Sequence, residues 1–190
     1  MNIRLQLVYF LLAIVMTLHL GCSQNKPTHV NTPNNKISLD NGNITFEAPP
    51  KFLPVSKEII EMKYPTNRAP KYVIGNEAAT TTIAYDQKPH YIPQSKIAEA
   101  KAAFTKMFLR MIPGLQWKKN EVIYLSGKKW GYFEMTTNAI DTDIYNIMLF
   151  TGYKGKMLIF NFNSTKEEFK KYEKDLRKSI RTIKINESGS

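Results

Sequence analysis

From Asn120 to Ser164 apolar and polar positions recur in four successive runs, EVIYL, WGYFEMTTN, DIYNIMLFTGY and KMLIFNFN. Ser126-Gly127 parts the first two and Lys154-Gly155 the last two. Glycine in so short a gap supplies the positive φ of a tight hairpin turn, so the pattern predicts an antiparallel meander. Side chains alternate across a strand. Leu158, Phe160 and Phe162 therefore share one face, and Met157 and Ile159 share the other with Asn161 and Asn163. In the preceding run Tyr145, Ile147 and Leu149 oppose Met148 and Phe150. Both faces are apolar at their centre, which predicts a sheet covered on both sides by helices.

Two longer stretches have the helical period. Over Gln94–Ile112, Ile97, Ala100, Phe104, Met107, Phe108, Met111 and Ile112 fall on one arc opposite Glu99, Lys106 and Arg110, and Pro113-Gly114 stops the helix. Ser164-Thr165-Lys166-Glu167 reads as a capping box with Ser164 as the cap. The helix it opens carries Phe169, Tyr172, Leu176, Ile180 and Ile183 on one stripe. Ahead of these, ISLD-NGN-ITFEAP reads as a hairpin, and Ser56 caps a short helix that Pro65 ends. Strands are predicted over Tyr72–Gly75 and Thr80–Tyr85, and Asn186–Ser190 reads as a frayed tail.

The expected fold is α+β: an α/β/α sandwich with a largely antiparallel sheet, over one domain from 37 to 185. In its order of elements the chain resembles the PsbP-like fold, shared by photosystem PsbP proteins, the Ran-binding Mog family and bacterial DcrB-type lipoproteins. The resemblance spans roughly Ile37 to Lys184 and rests on ITFEAPPKFLP, KYPTNRAPKYVIGNEAATTTIAY, KKWGYFEMT and the YKGKMLIFNF hairpin. These are signatures of fold and carry no catalytic residue across.

The N-terminus bears on compartment. A single positive charge, Arg4, precedes the uncharged run Leu5–Leu20, and Gly21-Cys22 follows, the pattern of a secretory signal. Leu20-Gly21-Cys22 looks like a bacterial lipobox, although His19 stands where such motifs usually carry Leu. The likeness implies cleavage after residue 21 and a diacylglyceryl group on Cys22, the one cysteine of the chain. The run is also short for a membrane span of about 20 residues. By resemblance to Gram-negative lipoproteins, Ser23 suits export to the outer membrane, with the domain in the periplasm. Residues 22–36, polar and rich in Asn and Pro, read as a tether, and His29 within it as solvated. With one cysteine there is no intramolecular disulfide to expect.

The net charge of +11 permits an anionic partner. An extracytoplasmic address argues against nucleic acid, and leaves the membrane reached through the lipid, an anionic protein, or another envelope component. The basic residues are organised: Lys170, Lys174, Arg177, Lys178 and Arg181 fall on one flank of the C-terminal helix, with Glu168 and Asp175 on the other. That flank is the candidate binding surface, set against the plainer reading of a solvated helix face.

Catalytic chemistry finds little support. The histidines after the signal are His29 and His90 alone, so no metal site is expected, and no nucleophile motif is present. Glu134, facing the same way as Trp130 and Tyr132, could serve a glycan hydrolase with Asp141 or Asp143; the alternative is that it pairs with a nearby base. Trp130 could stack on a sugar, but a tryptophan there is more often core. The leading expectation is a lipid-anchored, non-enzymatic accessory or binding protein with no cofactor and no small-molecule substrate. The other readings are an immunity lipoprotein that neutralises a periplasm-delivered toxin and, last, an envelope hydrolase.

Overall fold

Alternation and turn chemistry place the meander where expected. The structure, a computed structural model, describes residues 35–64, 69–138 and 142–186. The signal segment, Cys22, Ser23, His29, most of the tether, Pro65, Asp141 and residues 187–190 lie outside the described residues.

The elements are β1 (Lys36–Leu39), β2 (Ile44–Glu47), β3 (Leu53–Pro54), α1 (Lys57–Lys63), β4 (Tyr72–Gly75), β5 (Thr81–Lys88), a 3₁₀ turn at Gln94–Lys96, α2 (Ile97–Met111), β6 (Gln116–Leu125), β7 (Lys128–Asn138), β8 (Asp143–Tyr153), β9 (Lys156–Thr165), α3 (Lys166–Arg181) and β10 (Lys184–Ile185). Seven strands form one sheet in the order β3-β4-β5-β9-β8-β7-β6, every neighbour antiparallel. The chain leaves β5, crosses through α2 to the far edge at β6, and folds back by hairpins until β9 pairs with β5. Both two-residue turns, Ser126-Gly127 and Lys154-Gly155, have positive φ at each residue, the twist that tight hairpins require.

The two faces pack as the alternation predicts. On one, α2 sets Phe108 against Phe133, ring centres 5.3 Å apart, and Phe104 against Phe150 at 4.9 Å. Asn161 and Asn163 are buried on this face, where Asn163 Nδ2 donates to Asn146 Oδ1 at 2.6 Å. On the other face α3 packs beside a separate three-stranded sheet, β1-β2-β10. Phe160 is the hub there, edge-on to Phe46 and to Tyr85, each at 5.6 Å.

Several local expectations need correction. The cap of α3 is Thr165, whose hydroxyl accepts from Glu168 N; Ser164 instead is buried, 2.7 Å from Thr81 Oγ1 on β5. The sheet claims Ser164 because β9 runs on to Thr165, which moves the cap one residue along. Met111 is 38% exposed, at the end of α2, while Met107 and Ile112 take the packing. β6 starts at Gln116, bringing Trp117 into the sheet. Ile183 lies past the end of α3, and β10 continues the chain along β2. Asn186 is held there too, its N–H donating to Asn43 O at 2.8 Å.

Candidate functional site

Two sets of residues carry the chemistry proposed from sequence: Glu134 on β7 and the basic flank of α3. The structure joins them. The apolar stripe of α3 (Phe169, Leu176, Ile180) is buried against the sheet, which fixes the helix about its axis. Arg177 then points over the side of the stripe toward β7. Its Nη2 donates to Glu134 Oε1 at 2.7 Å, its Nη1 to Glu134 Oε2 at 3.2 Å, and its Nε to Glu173 Oε1 at 2.8 Å. Tyr132 OH donates to Glu134 Oε2 at 2.8 Å, and Tyr145 OH donates to Glu134 Oε1. Phe169 lies flat over the Tyr145 ring, centres 3.6 Å apart, and the guanidinium sits 5.9 Å from the Phe169 ring.

Glu134 is 2% exposed, so its ionisation depends on these partners. Burial acts to raise its pKa. The hydrogen bonds from Arg177, Tyr145 and Tyr132 outweigh burial, and the carboxyl titrates below the ordinary glutamate value. Burial and the same carboxylate raise both tyrosines, and hydrogen bonding to Glu134 raises Arg177. The group is thus an anion held by four donors at neutral pH. Chemically it is a clamp between helix and sheet.

Arg177 is therefore not the solvated flank residue expected: its side chain is 27% exposed and committed inward. Lys178 pairs with Glu47 of β2 at 2.7 Å. Lys170, Lys174 and Arg181 are exposed and form no ion pair with any described residue. They make an outward ridge between the clamp to β7 on one side and the contact with β2 on the other. Glu173, one turn before Arg177, was legible as an i,i+4 partner and was missed; Glu47 comes from a distant strand and was not.

The other candidates fall apart. Asp143 pairs with Lys166 at 2.9 Å, His90 lies exposed in the loop after β5, and Trp130 is fully buried with its Nε1 donating to Leu125 O at 2.9 Å. Among the described residues no three of His, Cys, Asp and Glu come together as metal ligands, and no helix is long and apolar enough to cross a membrane. A hollow of about 400 Å³ lies between β2 and α3, lined by Asn35, Glu47, Pro49, Asp175 and Lys178.

No protein-family model matches the chain, and no curated protein matches it. Solved structures do. The solution structure of cyanobacterial PsbP from Synechocystis sp. PCC 6803 is similar with TM-score 0.54 and 12% identity, over 79% of this chain and 91% of that one. LpqN, involved in cell envelope biogenesis of Mycobacterium tuberculosis, is similar with TM-score 0.51 and 14% identity, over 84% and 89%. A structure from Bacteroides thetaiotaomicron VPI-5482 gives TM-score 0.51 and 10% identity, over 88% of this chain and 51% of that one. At these identities the likeness is one of fold: the chain has a PsbP-like α+β fold.

Proposed function

We propose that this is a lipid-anchored protein of the cell envelope that acts without catalysis, as an accessory or binding module. The observation that carries the reading is the state of Glu134. A hydrolytic carboxyl must hold a proton to give or stand free to activate water. Here both oxygens are taken by Arg177, Tyr132 and Tyr145, and the acid is buried and held on the ionised side. The lipobox-like Leu20-Gly21-Cys22 supports the anchor. The fold shared with LpqN, itself a protein of envelope biogenesis, supports the address.

The test is fractionation of cells carrying wild type or Cys22→Ala, with globomycin applied to the wild type. Two or three acyl chains hold a protein firmly where one is marginal, so Cys22→Ala should leave the membrane pellet. Retention of the variant together with indifference to the drug overturns the anchor. Release of envelope glycan by the wild type, abolished in Glu134→Gln, overturns the non-catalytic reading.

A further inference from the structure

The place where residues 1–34 join the domain lies beside the basic ridge. Asn35, the first described residue, accepts from Ala48 N at 2.9 Å and lines the hollow together with Asp175 and Lys178 of α3. β2, which β1 pairs with, is tied to the same half of the helix: Glu47 N donates to Thr182 Oγ1 at 3.0 Å and Glu47 Oε2 accepts Lys178. Around this junction Lys36, Lys174, Arg181 and Lys184, and further along α3 Lys170, are exposed without an ion pair to any described residue. The neighbouring acids are few. Glu47 is paired with Lys178 and Glu168 with Lys171, whereas Glu173 shares Arg177 with Glu134, so one negative charge of that trio remains beside Asp175 in the hollow and Glu167 at the start of the helix.

We propose that this ridge is the face the anchored domain turns to the bilayer, and that it docks on anionic phospholipid headgroups. The proposal rests on the anchoring reading above. The thirteen peptide links from Cys22 to Asn35 span at most about 45 Å whatever their conformation, so a lipid on Cys22 keeps this corner of the domain near the surface. Attachment raises the effective concentration of surface charge, so even a shallow electrostatic contact is populated. Each basic residue brought near an anionic leaflet contributes about fivefold in partitioning.

The ridge suits headgroups better than a protein. Protein interfaces depend on aromatic or apolar anchors seated in pockets. Among the described residues the exposed large apolar ones are Leu53, Met62, Tyr91, Leu109, Met111 and Tyr124, and none is on α3. What α3 offers outward is long, separately mobile cations, which match a fluid anionic surface. The ridge cannot roll away, because the clamp to Glu134 and the contact with β2 hold the helix from both sides.

Full-length protein in vesicles tests this. Cys22 is the only cysteine, so Lys174→Cys or Lys106→Cys adds one site for a fluorophore, the second on α2 across the sheet. Each variant is placed in phosphatidylcholine vesicles with or without phosphatidylglycerol, with a headgroup-borne nitroxide quencher. Position 174 should be quenched several-fold more than position 106 when phosphatidylglycerol is present. The difference should vanish without that lipid, in 1 M salt, where screening acts within about 3 Å, and when Lys170→Gln and Arg181→Gln are added. Equal quenching at the two positions, or quenching at 174 that ignores lipid charge and salt, overturns the proposal. A Cys22 thiol that itself takes the label marks failure of the lipid anchor alone. The difference between positions 174 and 106 then still decides the ridge.

Discussion

Arg177 of α3 and Glu134 of β7 meet fork to fork across a separation of 43 residues, with both carboxylate oxygens engaged by one guanidinium. Paired this way, two groups that would be costly to bury singly fasten the helix to the sheet.

Removing one partner should therefore cost more than the pair is worth. Arg177→Met leaves a buried anion facing two tyrosines and should destabilise the domain by about 3 kcal/mol, the low end for a broken buried pair because Arg177 keeps some solvent contact. Adding Glu134→Gln should recover a large part of the loss. Urea melts of the wild type, the single variant and the double variant measure this. A single variant that melts like the wild type would show that α3 does not depend on the clamp.

The same pair sets a pH dependence. The folded Glu134 pKa lies below that of the unfolded chain, where glutamate titrates near about 4.3. Its contribution is fully present above that value and is lost as pH falls through the lower, folded one. Glu134→Gln should thus be less stable than wild type at pH 7, with the gap narrowing below about pH 4. A gap that stays constant into acid contradicts the assignment.

Phe160 is fully buried and touches both Phe46 of the small sheet and Tyr85 of the large one. Phe160→Ala should cost about 3–5 kcal/mol, enough to unfold much of a marginal domain. Thermal melting checks it, and a midpoint within a degree or two of wild type would contradict the packing described.

Gly152 of β8 is needed for a close approach. A Cβ there would lie 2.1 Å from the carbonyl oxygen of Ile92, in the connection that carries the chain to α2. Gln94 ties the same connection down, with Nε2 donating to Thr151 Oγ1 at 2.8 Å and Oε1 accepting from Lys129 N at 2.7 Å. Gly152→Ala should be markedly destabilising, because backbone rather than a side-chain tip must move. Gly127→Ala meets open space and should show only the smaller strain of its positive φ. Equal melting points for the two would refute this contrast.

The meander was legible because each of its strands carries its own alternation and each tight turn its own glycine. The helices were legible from their stripes. What escaped depends on distant neighbours. Two adjacent hydroxyls, Ser164 and Thr165, look alike as caps until β5 takes one of them. Lys184-Ile185 is too short to show a period, and is a strand only because β2 lies alongside. The wheel of α3 placed Arg177 at the edge of the basic arc, but nothing local could say that a carboxylate waited beneath it.

β2 touches both ends of the described chain. At its one end Ala48 N donates to Asn35 O, and at the other Asn43 O accepts from Asn186 N. Five residues of extended backbone separate those points, about 17 Å. The strands thus close almost into a ring with no topological beginning. A linker of several residues could join Asn186 to Asn35, and new ends could be opened after Gly127, the exposed residue of the Ser126-Gly127 turn, without breaking a strand pair. Such a circular permutant should keep the fold, with its new ends beside Ile185, whose N–H donates to Ser126 Oγ at 2.9 Å, so an anchor placed there would hold the domain by the other end of β2.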